Sequence, residues 1–196
     1  QNLLARPQTV SVLRADIFCT SPAPEHTLKV KQAGCLGVPF PVVQRKARIP
    51  MAYTDRELLA RLVQCEAGGE GETGMKAVAS VVMNRVHAVG GEYARIGRGN
   101  LRNIIFQPGQ FVCASESEGG AYNPQNIYNM RPTAEHYAIA DWALAGNRLP
   151  DLSKALWFYN PFSPNCRGQF PSQVGYLQTR IGDHCFYNPT DAYYQT

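Results

Sequence analysis

The sequence predicts an α+β fold with its helices first and a small antiparallel sheet after them. Three observations predict it. Apolar residues recur at a helical period from 58 to 86, the period changes to short apolar runs after 155, and Gly182-Asp183 separates two runs as a hairpin turn would. Six prolines fall within residues 1–52, at 7, 22, 24, 39, 41 and 50, and they keep any helix there short. Residues 1–52 therefore read as an extended arm, and 53–196 as the compact domain.

The compact domain opens on Thr54-Asp55-Arg56-Glu57, a capping box in which the Thr hydroxyl accepts from the third helical amide and Glu57 reaches back. Leu58, Leu59, Leu62, Val63 and Cys65 continue the helix until Gly68, Gly69 and Gly71 stop it. A second helix follows from Thr73 to Ala88 on the stripe Val78, Val81, Val82 and Val86, and 90–99 reads as a loop. The short apolar segment Leu101 to Phe106 leads into Gln107-Pro108-Gly109-Gln110-Phe111. Residues 114–131 are polar and rich in Gly and Asn, and they read as a long loop. A third helix starts behind Pro132 and Thr133 and ends at Gly146. Ala155 to Tyr159 is a strand, and Tyr176–Ile181 with His184–Tyr187 form the hairpin.

Charge divides the same way. The chain has 19 Lys and Arg against 15 Asp and Glu, a net of +4. Residues 1–52 carry a net of +5, and 53–196 a net of −1. The basic residues of the arm are scattered, with only Phe18 and Phe40 among them, which argues against a nucleic-acid partner. Such an arm suits an anionic polymer or an acidic protein. The absence of any run of 18 apolar residues excludes a membrane-spanning helix. Six cysteines, at 19, 35, 65, 113, 166 and 185, are compatible with disulfides in an oxidising compartment. None is spaced as CxxC. A zinc site from Cys166, His184 and Cys185 is disfavoured, because adjacent strand residues point to opposite faces. The arm is expected to pack on its own body or on a neighbouring copy, with Cys19 or Cys35 tethered.

Glu66 is the foremost candidate for chemistry. It ends the first helix, at the negative end of the macrodipole, among small and apolar neighbours, and both effects favour a protonated carboxyl. A protonated carboxyl beside a glycine loop suits a general acid. Glu70 and Glu72 precede the second helix, where carboxylates favour an N-terminus. Glu70 is also a possible second carboxylate for a glycosidase-type pair. Asn84 and Arg85 form a polar pair that either is satisfied structurally or faces a cleft. Gln107, Gln110 and Phe111 on a Pro-Gly turn suit sugar hydroxyls and ring faces. Tyr159 and Asn160 end a strand, with Asn160 held extended by Pro161. His184 stands near the hairpin turn.

Five collinear blocks carry a resemblance. They are Leu-Leu-Ala-Arg-Leu-Val-x-x-Glu-Ala-Gly-Gly-Glu (58–70), Gly-Met-Lys-Ala-Val-Ala-Ser-Val-Val-Met-Asn-Arg-Val (74–86), Gln-Pro-Gly-Gln-Phe (107–111), Trp-Phe-Tyr-Asn-Pro (157–161) and Ile-Gly-Asp-His-Cys-Phe (181–186). Together they resemble the SleB/CwlJ cell wall hydrolases, the cortex-lytic enzymes of spore germination, over about residues 54–190. The Cys-Phe-Tyr-Asn-Pro-Thr ending (185–190) is closer to the CwlJ branch. The resemblance implies a lysozyme-like, resuscitation-factor-like catalytic domain with a glycan groove, and an essential acid that maps onto Glu66. It implies peptidoglycan as substrate, an extracytoplasmic place in the spore coat and cortex, and a possible link to calcium, although no Asp-rich EF-hand loop is present. Gln107, Gln110, Phe111, Tyr159, Asn160 and His184 become candidates for binding sugars, with no metal ligand among them. A zinc amidase, or a coat or filament protein built on the hydrolase fold and assembled through the arm, are the competing expectations.

Overall fold

This computed structural model describes residues 53–167 and 173–196. The arm, with Cys19 and Cys35 and their expected tethering, lies outside the described residues. The elements are α1 (Asp55–Ala67), α2 (Gly71–Val86), α3 (Gly91–Gly97), α4 (Leu101–Ile105), β1 (Ser117–Glu118), β2 (Ala121–Tyr122), α5 (Ala134–Leu144), β3 (Trp157–Tyr159), β4 (Gly175–Ile181) and β5 (His184–Pro189). Helices precede the main sheet, as the sequence predicts. The three longer strands form one antiparallel sheet in the order β3-β5-β4.

Helices α1, α2 and α5 pack on one another, and α2 lies at the middle, also touching α3, α4, β3 and β4. The reason is compositional. Leu58, Leu59, Leu62 and Val63 of α1 and Val78, Val81 and Val82 of α2 are fully buried. Each such side chain contributes roughly 1.5–3 kcal/mol when taken out of water. Phe186 and Tyr187 of the central strand close this core from the sheet side.

Thr54 caps α1, its hydroxyl accepting the Glu57 amide at 3.2 Å. The expected return bond of the box is not made: the carboxylate of Glu57 does not reach back to the Thr54 amide. It accepts instead from Arg61 Nε and Nη2, at 3.0 and 2.8 Å. The span 90–99, read as a loop, contains α3. Its Tyr93 is buried and packs beside Trp157 and Tyr193, so aromatic packing orders a segment whose glycines suggest a turn. The apolar segment 101–106 is also helical, because the Asn100 side chain caps α4 by accepting from the amides of Arg102 and Asn103.

The polar span 114–131 holds the two-residue strands β1 and β2, and the rest is tied by the side chains of Asn123 and Asn126 and by a buried cation. Arg61 Nη1 donates to the carbonyls of Ile127, Tyr128 and Met130, at 3.1, 3.3 and 2.7 Å. A disulfide between Cys166 and Cys185 ties β5 to the segment after β3. It consumes both thiols of the zinc set that strand geometry disfavours.

Candidate active site

Glu66 occupies the last turn of α1, where no basic side chain offsets the helix dipole. The residue is half-buried, so a path to solvent remains. Desolvation by the surrounding protein pushes its carboxyl pKa up, while a hydrogen bond with the Cys113 thiol and the charge of Arg85 pull it down. The upward pull wins. Cys113 sits in a one-turn 3-10 helix, Val112–Ala114, at the start of the polar loop, and is buried. Its own thiol is raised well above the usual range, first by hydrogen bonding with the Cys65 thiol, then by burial and the nearby Glu66 charge. Cys65 Sγ reaches Gln125 O at 3.1 Å, and Ile127 N donates to Cys113 O at 2.7 Å. The polar loop is thereby fixed against the end of α1.

Arg85 is the cation of the site. It is buried, donates from Nε to Leu156 O at 2.7 Å, and lies over the rings of Tyr93 (4.8 Å) and Phe111 (5.2 Å). Gln110 Oε1 accepts from Tyr93 Oη at 2.9 Å and from Arg85 Nη1 at 3.4 Å. Gln110 and Phe111 are thus both buried around the guanidinium. Asn84 is satisfied structurally. Its amide donates to the carbonyls of Leu152 and Ala155, and its oxygen accepts from Arg148.

Glu70 has neither the capping role nor an open carboxylate. It stands before α2 without a side-chain cap bond. Its Oε2 accepts the Asp183 amide at 2.8 Å, and its Oε1 lies 3.7 Å from His184 Nδ1. The tight approach of the hairpin turn outcompetes the helix end for this carboxylate. His184 is buried between Glu70 and the ring of Phe158. Desolvation lowers its pKa against the opposing pull of Glu70 and Asp183, with Arg180 adding to the depression.

Gln107 is buried, and its amide donates to Glu92 at 2.7 Å. It lines a depression of about 610 Å³ with Arg95, Arg98, Arg102 and Phe106, and Glu66 does not border that depression. Tyr159 stacks on Tyr187 at 5.7 Å and accepts the Arg167 amide through its hydroxyl. Asn160 is half-buried, and its side chain accepts the Phe162 amide at 2.8 Å, which turns the chain after β3. The structure thus gathers Cys65, Glu66 and Cys113, with Arg85 near enough to act on the carboxyl and Gln110 holding Arg85. His184 and Glu70 form a second cluster at the hairpin. Neither Cys65 nor Cys113 announces itself in the sequence, since 48 positions separate them. Arg85 shows only as a polar residue beside an apolar stripe.

Calcium, raised by the resemblance, takes six to eight oxygen ligands. Among the described residues, one group of three metal-capable side chains occurs, Cys65, Glu66 and Cys113, and its two thiols do not suit calcium.

The description Cell Wall Hydrolase belongs to the family model that matches residues 69–187. The chain belongs to this family, the SleB/CwlJ cell wall hydrolases. Three curated relatives carry the name cell wall hydrolase CwlJ, in keeping with the 185–190 ending. The one from Halalkalibacterium halodurans is 32% identical over 139 residues, 70% of this chain and 87% of the relative. That from Bacillus subtilis is 30% identical over 136 residues, 69% and 86% respectively. That from Oceanobacillus iheyensis is 32% identical over 140 residues. Among solved structures, the catalytic domain of the germination-specific lytic transglycosylase SleB from Bacillus anthracis aligns at 25% identity and a TM-score of 0.49, over 70% of this chain and 98% of that chain. The family model begins at Gly69, just past Glu66, so the case for Glu66 rests on the geometry around it. No helix among the described residues is long and apolar enough to cross a membrane.

Proposed function

We propose that this hydrolase degrades the peptidoglycan of the spore cortex during germination, acting outside the cytoplasm on the bond between N-acetylmuramic acid and N-acetylglucosamine. We further propose a lytic transglycosylase mechanism with Glu66 as acid and then base. The observation that carries the reading is the unequal state of the two carboxylates. Glu66 is half-buried and desolvated at a helix end, whereas Glu70 is committed to the hairpin through Asp183 and His184. An inverting hydrolase needs a free second carboxylate about 6.5 to 9.5 Å away to hold a water. A transglycosylase needs only one.

Protonated Glu66 gives its proton to the glycosidic oxygen, and the C1–O bond breaks, releasing the 4-hydroxyl of N-acetylglucosamine. The carboxylate then takes the proton of the muramic C6 hydroxyl. That oxygen bonds to C1, closing a 1,6-anhydro ring and returning Glu66 to its acid form. The Cys113 thiol and Arg85 lower the cost of the transient carboxylate, so they act on Glu66 as positioning residues. Gln110 and Phe111 hold Arg85 rather than meeting sugar. Asn160, half-buried just past β3, is the better candidate for glycan contact, with Tyr159 behind it stacked on Tyr187. The net +5 of residues 1–52 supports an arm that keeps the enzyme near an anionic wall or an acidic coat partner.

Mass spectrometry of muropeptides released from decoated spores tests this reading. Anhydro-muramic ends from the wild type, and their loss with Glu66→Gln, are expected. Reducing ends, or undiminished lysis by Glu66→Gln, would refute it.

A further inference from the structure

From the meeting of Cys65 Sγ, the Glu66 carboxylate and Cys113 Sγ within 4.8 Å of one another, we infer a binding site for a thiophilic divalent cation of the zinc type, which withdraws Glu66 from proton transfer when loaded. The ligands come from two elements, the end of α1 and the 3-10 turn that opens the polar loop. Zinc–sulfur bonds of about 2.3 Å and zinc–oxygen bonds of about 2.1 Å place tetrahedral ligands roughly 3.5–3.8 Å apart. Side-chain torsions therefore suffice to close the set around one ion. Three protein ligands leave a fourth position for water, and the partial exposure of Cys65 and Glu66 gives the ion an entry path.

Softness and charge both select the ion. Two sulfur ligands favour zinc-like ions over calcium or magnesium. Two thiolates and a carboxylate bring three negative charges. A divalent ion together with Arg85, whose charge already acts on Glu66, brings three positive ones. The loaded cluster is neutral, which suits a partly desolvated place. Each thiol, and the carboxyl of Glu66 where it is protonated, gives up its proton to solvent on binding. No other group of three such side chains occurs among the described residues. Cys166 and Cys185 are held in their disulfide. The inhibitory consequence rests on Glu66 being the acid of the proposed reaction, but the site itself does not.

Anaerobic titration of the full chain with Co²⁺ reads the site without any activity assay. One equivalent of tetrahedral cobalt with thiolate charge-transfer absorption is expected, displaced by Zn²⁺. Cys65→Ser and Cys113→Ser should each remove that equivalent. Glu66→Gln should keep the sulfur absorption but bind more weakly, by at least about tenfold. Circular dichroism of each variant checks that it folds, and Cys65→Ser, at a partly exposed position, gives a test independent of the buried Cys113. No charge-transfer absorption in the wild type, or undiminished absorption in both cysteine variants, overturns the site. Zinc at saturating occupancy should abolish glycan lysis by the wild type, with recovery on chelation, while the fractional loss in Cys65→Ser is small. Lysis unchanged or raised by bound zinc overturns the inhibitory role. Undiminished lysis by metal-free Glu66→Gln refutes the acid assignment instead, and leaves the spectroscopic result standing.

Discussion

Glu70 Oε2 accepts the backbone amide of Asp183 at 2.8 Å, joining the start of α2 to the turn between β4 and β5 across 113 positions of sequence. Gly182, beside it, has φ +57°, and a Cβ there would overlap the same carboxylate oxygen. Gly182→Ala is therefore strained twice, and a loss of more than about 1 kcal/mol is expected in denaturant melts. Glu70→Ala leaves the amide to water at its exposed edge, and about 1–2 kcal/mol is expected. An unchanged midpoint for Gly182→Ala would show that the turn does not depend on this contact.

Glu66→Gln should separate activity from stability. Removing a general acid costs on the order of 10²–10⁴ in rate. Because burial raises the folded pKa of Glu66, the native state prefers the neutral acid. That contribution is fully present below the unfolded pKa, near 4.3, and is lost as pH rises through the raised folded value. At neutral pH the neutral amide avoids this loss, so Glu66→Gln should melt higher than the wild type, and the gap should close in acid. Melting curves from pH 4 to 8 check it.

His184 gives the opposite slope. Its folded pKa is depressed, chiefly by desolvation, so the unfolded chain takes up a proton first. Stability from neutral His184 is complete above the unfolded value near 6.5 and falls as pH drops below it. Glu70 and Asp183 moderate the fall by favouring the cation, and Arg180 opposes them. The melting temperature of the wild type should decline below about pH 6.5 more steeply than that of His184→Gln.

The Cys166–Cys185 disulfide closes a span of 19 residues that holds all of β4 and the turn into β5. Cys166→Ser should cost about 2–4 kcal/mol. The measurement is a denaturant midpoint compared with the oxidised wild type.

Gln110→Leu leaves Tyr93 Oη and Arg85 with one acceptor fewer in a buried place. A loss of about 1–3 kcal/mol is expected. The pH profile of lysis should also shift toward higher pH, because a guanidinium no longer held in place opposes the raised pKa of Glu66 less. A profile that stays in place while stability falls would reduce Gln110 to a packing role.

Much of this architecture was legible because it is local. The stripe of α2 and the Gly182-Asp183 turn follow from spacing alone, and Glu66 stands out by its place at a helix end. The helix over 91–97 was not legible, because what orders it is Tyr93 meeting Trp157 and Tyr193, partners 64 and 100 positions away. The same holds for Glu70. Its neighbours suggest a helix cap, but its partners are at 183 and 184. The candidate site shows the limit most clearly. Cys113 has no local pattern, and only the folded loop brings its thiol to Glu66.

Arg61 holds the polar loop by three main-chain carbonyls rather than by side chains. Every amino acid supplies a carbonyl, so this hold asks nothing of the side chain at 130, whereas Ile127 is also buried in the core and Tyr128 also packs on Tyr53. Inserting or deleting a residue is different, because it moves the carbonyls off the fork of the guanidinium. This stretch is therefore strict in length, because its support reads the path of the backbone.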